Sequence, residues 1–109
     1  MTMTLNDVRF KPWRSGRKNS STGYGLCVSK KYAQLFPKDW ENIVVTICCK
    51  GMSETLKFNL TKTFWTTCPD IKNSRTKYWL ELSGHINWEG KKPEFQTSYL
   101  GENKFKVTL

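Results

Sequence analysis

Between Arg9 and Lys31 the chain carries Arg9, Lys11, Arg14, Arg17, Lys18, Lys30 and Lys31, and no Asp or Glu. Side chains of that kind bind anions. A run of like charges repels itself until something negative neutralises it, and the commonest polyanion a basic protein meets is nucleic acid. The competing reading is a solvated basic loop. Ser15 to Gly23, SGRKNSSTG, has no apolar residue and two glycines, and so reads as a loop or arm. Its Arg, Lys, Asn and Ser side chains are the donors that phosphates and base edges accept from.

Groups for bond-breaking chemistry are sparse. Hydrolysis needs a nucleophile beside a base, or clustered metal ligands. The single histidine, His85, follows Gly84 in a loop and has no partner in sequence. Asp70 after Pro69, followed by Glu81-Leu82-Ser83, has the order of the acidic pair of restriction nucleases, but the lysine needed two residues after the second acid is Ser83 here. Gly16, Gly23 and Gly25 lack the spacing of a nucleotide-binding glycine loop. Cys27, Cys48, Cys49 and Cys68 form no C-x-x-C pair, and neighbours such as Cys48 and Cys49 on a strand point to opposite faces. They read as reduced, mostly buried thiols. The expectation is a non-catalytic protein without metal or cofactor.

The 109 residues suggest one domain, with 38% hydrophobic and 25% charged residues as in a globular chain. A net charge of +9 favours an anionic partner. Membrane surfaces are anionic too, but no amphipathic basic helix is visible and no apolar run approaches the roughly 20 residues of a spanning helix. The start, MTMTLNDVRF, lacks the apolar core of a signal peptide, and a cytoplasmic protein is expected.

The elements that must hold the basic stretch are mostly strands. Val8 to Trp13 alternates apolar and basic residues, and Pro12 puts it at an edge or a strand end. Tyr24 to Ser29 reads as a strand in which Gly25 permits a close backbone approach or a bulge. KKYAQLF reads as one helical turn stopped by Pro37. The run IVVTICC, residues 43 to 49, is the most strand-like and predicts a central strand covered on both sides. After a turn at Lys50 to Ser53, residues 54 to 64 return with Leu56, Phe58 and Leu60 on one face. Cys68-Pro69-Asp70 reads as a turn, with Trp65, Thr66 and Thr67 on an exposed loop. Ser74 is a candidate N-cap for a helix from Arg75 to about Leu82 whose Tyr78, Trp79 and Leu82 share a face, and Gly84 ends it. Glu94 to Leu100 and Lys104 to Leu109 are the last strands, joined by a hairpin turn. Six or seven strands with one or two short helices predict a mainly β, α+β chain in the form of a small open barrel or pseudobarrel.

LCVSKKYAQLFP, Leu26 to Pro37, resembles the second strand and following turn of the B-three type DNA-binding pseudobarrel, in which an apolar strand runs into a basic, aromatic and alanine stretch and ends in Phe-Pro. Ser29 stands where that family usually has proline. The helix at Tyr78 to Leu82, the loop with Gly90 and the strand near Phe95 are similar to the family's second helix and glycine-bearing turn. Such domains occur in plant transcription factors and as target-sensing domains of some restriction endonucleases.

The resemblance implies two arms that enter the major groove of duplex DNA. The first would be Arg14, Arg17, Lys18, Asn19, Ser20 and Thr22. The second would lie within Lys62, Thr63, Trp65, Thr66 and Thr67, with Asn73 and Arg75 nearby. Arg17 and Lys18 would reach phosphates or guanine, and Asn19 could make a bidentate contact to adenine. Trp13 and Trp65 carry a core reading alongside base stacking. The alternative class is a small basic interaction module, an inhibitor or adaptor docking an acidic protein partner.

Overall fold

The computed structural model describes residues 2–15, 23–88 and 90–109. Its seven strands form two sheets. Strands β1 (Lys11–Arg14), β2 (Tyr24–Cys27) and β5 (Asp70–Lys72) make an antiparallel sheet in the order β1-β2-β5. Strands β3 (Asn42–Cys49), β4 (Met52–Asn59), β6 (Gln96–Gly101) and β7 (Lys104–Thr108) make the other, in the order β4-β3-β7-β6. Within it, β3 and β7 run parallel, so everything between them forms the crossover.

The two sheets meet at two seams. At one, the Phe95 N–H donates to the Phe10 carbonyl (2.8 Å) and the Phe10 N–H to Thr97 Oγ1 (3.1 Å). At the other, Asn73 Nδ2 donates to the Lys57 carbonyl (2.9 Å). The strands thus follow a ring that these isolated bonds, rather than ladders, hold together; among the described residues the barrel does not close. This is the mainly β, pseudobarrel-like architecture the pattern predicts.

Both sheets turn one face to a single core that includes Leu26, Ile71, Val45, Phe58, Phe105 and Val107. Helix α1 (Lys30–Ala33) delivers Phe36, whose ring stacks on Phe105 (5.4 Å, 13°) and meets Phe64 (5.0 Å), Trp40 (5.9 Å) and Phe10 (6.5 Å). Phe64 comes from helix α2 (Lys62–Thr66), so two short helices cap the core through one aromatic cluster.

Several elements depart from expectation. Strand β3 is central, but only its Ile43, Val45, Ile47 and Cys49 face is buried; the Asn42, Val44, Thr46 and Cys48 face is half-buried. β-branched residues fit a half-covered sheet face as well as an enclosed one, so the apolar run overstated the coverage. Strand β4 ends at Asn59, and the residues read as strand and exposed loop form α2, because Phe64 turns inward to Phe36. Asp70–Lys72, of which only Asp70 reads as part of a turn and the rest carries no local signal, is a strand because it pairs with Gly25 to Cys27, a contact far away in sequence. Helix α3 (Thr76–Ser83) starts without a side-chain cap from Ser74; Asn73 Oδ1 accepts the Arg75 N–H instead (2.9 Å). Its buried face is Thr76, Trp79 and Leu80, at i, i+3 and i+4, while Tyr78 is exposed. Among the described residues there are three α-helices, where one or two are expected. Of the cysteines, all free, only Cys49 is buried; Cys68 is exposed and the other two are half-buried. No helix among the described residues is long and apolar enough to cross a membrane.

At Gly25 β2 lies tight against β5: a Cβ there would collide with the Ile71 carbonyl oxygen. Backbone on the far side cannot yield as a side-chain tip can. Gly25→Ala is therefore expected to cost about 3 kcal/mol, read as a lowered urea midpoint, whereas a neutral result would mean that the two strands can separate freely.

Candidate nucleic-acid interface

The β1–β2 hairpin presents its far end as a neck, where the Ser15 N–H donates to the Gly23 carbonyl (3.0 Å) and residues 16–22 join the two strands. Of the first predicted arm, Arg14 is seen; Arg17, Lys18, Asn19, Ser20 and Thr22 lie outside the described residues. Arg14 is half-buried. Its guanidinium lies over the Trp88 ring, 4.3 Å from the centroid, and donates to the Ile86 carbonyl (3.3 Å).

Three further cations gather at the same hairpin, none of them singled out from the sequence. Lys92 Nζ lies over the Trp88 ring (5.3 Å), Lys72 Nζ over Trp13 (5.3 Å) and Lys77 Nζ over Tyr24 (5.7 Å). The row Trp13, Gly25, Lys72 runs across the three strands, and the missing side chain of Gly25 lets Lys72 lie across to Trp13. A ring face orients a cation without cancelling its charge, at a gain of about 0.5–1 kcal/mol in exposed sites. Among the described residues no carboxylate forms an ion pair with these four cations; of the acids that could neutralise the basic stretch from within, Asp70 and Glu81 do not, and Glu89 lies outside the described residues.

Lys92 Nζ also donates to Cys27 Sγ (3.5 Å). Burial pushes the Cys27 thiol up, and Lys92 and Lys11 only partly pull it back. The thiol therefore stays protonated near neutral pH and leaves the ammonium charge uncancelled.

The second predicted arm divides in two. Lys62, Thr63, Thr66 and Thr67 are exposed on α2 and its C-terminal end. Thr63, with Thr61, Asn59, Asp70 and Lys72, lines an open cavity of about 420 Å³ at the β4–β5 seam. Lys72 thus borders both the α2 cavity and the Trp13 ring, which brings part of the second arm beside the hairpin. Trp65 is half-buried and structural in its contacts: Nε1 donates to the Phe36 carbonyl (3.0 Å) and its ring packs edge-on against Phe64 (5.3 Å). Trp13 is half-buried with Lys72 over its ring.

Asn73 and Arg75 are engaged within the fold. Asn73 bridges the seam to Lys57, and Arg75 pairs with Glu54 (Nη2 to Oε1, 3.1 Å) while lying over Tyr78 (4.9 Å). Trp79 Nε1 also donates to Glu54 Oε1 (2.7 Å). The hydrogen bonds from Arg75, then Trp79, hold the Glu54 carboxyl below its usual value. A carboxylate favoured in the folded state contributes stability above its unfolded pKa, about 4.3, that is lost as pH falls through the lower folded value. Thermal melts from pH 6 to pH 3 are expected to show this loss, and Glu54→Gln to flatten it; an unchanged profile would mean that the pair is loose in solution.

No protein-family model, curated protein or solved structure matches this chain. Groups of carboxylate, thiol or imidazole suited to a metal ion are absent among the described residues.

Proposed function

We propose that the chain binds double-stranded DNA, by sequence or by shape, through the cationic hairpin end, and catalyses no reaction. One observation carries this reading. Arg14, Lys72, Lys77 and Lys92 lie along the hairpin that carries the acid-free 16–22 segment and, among the described residues, rest on ring faces rather than on carboxylates. Their charge is positioned and, among the described residues, unspent. With Trp88, Trp13 and Tyr24 already carrying cations, these rings are poor stacking platforms for unpaired bases, which favours phosphates of a duplex over a single strand.

The test is a gel shift on random duplex DNA at low salt. Binding at or below about 10 μM, within the range of ordinary nonspecific association, is expected. Arg17→Glu with Lys18→Glu should abolish it while leaving the thermal midpoint nearly unchanged. A large fall in the midpoint would make those residues structural. No shift with the unaltered chain would remove DNA binding and leave an acidic protein as the partner class.

A further inference from the structure

We infer that the outward face of the β4-β3-β7-β6 sheet is a second duplex-binding surface, so that one molecule holds two DNA segments at once; this rests on the DNA-binding reading above. The outward positions of the four strands are Ser, Thr, Asn, Gln, Val, Cys, Leu and Lys, without a carboxylate or an aromatic residue. Lys57, Lys104 and Lys106 are all exposed there. Register places Lys57 and Lys104 on either side of Val44, two strand spacings or about 9.6 Å apart, with Lys106 about 6.8 Å further along β7. The next row across is Thr55, Thr46, Lys106 and Ser98, in which the first two hydroxyls bond each other (3.0 Å).

These lysines differ from those at the hairpin. None has an ion pair or a ring beneath it among the described residues, so their charge is free for an external anion. Lysines flanked by hydroxyls, with no ring to stack on a base, match a phosphate backbone and not base edges. Asp39, Glu41 and Glu102 gather instead around a shallow cavity of about 500 Å³ at the Asn42 end of the sheet, which bounds the cationic area on that side. Leu26 and Ile71 of one sheet and Val45 and Val107 of the other bury into the same core, so the outward faces of the two sheets point away from each other. A duplex on one face leaves the other open.

The experiment pairs two readouts on the full chain at the same low salt as the gel shift above: gel shift of a single duplex, and capture of a labelled duplex by an immobilised one of unrelated sequence. The unaltered chain should do both. Lys57→Glu, Lys104→Glu and Lys106→Glu together should lower capture at least tenfold, while single-duplex affinity changes by no more than about threefold, since the hairpin cations are unaltered. Glutamine at the same positions should give a smaller loss, and unchanged thermal midpoints should accompany both variants. A chain that shifts one duplex but captures no second, or a triple variant that still captures, overturns the second surface alone. A chain that shifts no duplex overturns the DNA reading with it.

Discussion

Phe36→Ala should destabilise the fold by about 3–5 kcal/mol, a large share of the roughly 5–15 kcal/mol that holds a domain together. Phe36 is 1% exposed and is the residue on which the cap of the core converges. Its ring touches Phe105 from β7, Phe64 from α2, Trp40 from the following turn and Phe10 from the strand entry. Truncation removes the buried ring and opens a cavity that four aromatic neighbours on separate elements cannot collapse to fill. It also loosens α2, because Phe64 of that helix loses the ring it packs against (5.0 Å). Urea unfolding followed by tryptophan fluorescence would read the change in midpoint. A loss below about 1 kcal/mol would mean that the cluster repacks and that the end of the core is not held there.

The second large effect concerns binding. If six to eight cations engage phosphates, affinity for a random duplex should fall by roughly a thousandfold or more between 50 and 200 mM salt. The hairpin and its neighbours hold that many cations: Arg14, Lys72, Lys77 and Lys92 lie along it, Arg17 and Lys18 follow in sequence, and Lys62 stands on α2. Each neutralised phosphate contributes about −0.9 to the log–log slope, so a fluorescence-anisotropy titration at several salt concentrations counts the contacts directly. Arg75 should not contribute to that slope, because Glu54 already neutralises it. A slope near zero would mean that the partner is recognised by shape and apolar contact, and that the charge serves solubility only.

The same contrast separates what could be read from the chain and what could not. Alternation in β4 and β7, the helical turn before Pro37, the stop at Gly84 and the close approach at Gly25 are local signals: each depends on period, turn chemistry or the absence of a Cβ, and each shows in a window of a few residues. The acid-free cationic stretch was equally plain, because charge is a property of composition. The short strand Asp70–Lys72 and helix α2 were misjudged because neither is stable alone. One exists by pairing with β2 and the other by seating Phe64 against Phe36.

The site followed the same division. Arg14 could be picked out by its neighbours in sequence, but Lys92 joins it only because the chain brings Trp88 beneath both side chains, and Lys72 reaches Trp13 only across the bare Gly25. Asn73 and Arg75 looked as available as any other polar residue until the fold placed Lys57 and Glu54 within their reach. Sequence by itself determined that this protein is a basic, mainly β chain with a concentrated anion-seeking segment, because composition and period are additive along the chain. Which cations stay unneutralised, and on which face, was decided by tertiary structure alone, because the Coulomb and ring contacts that settle it act over a few ångströms between residues tens of positions apart.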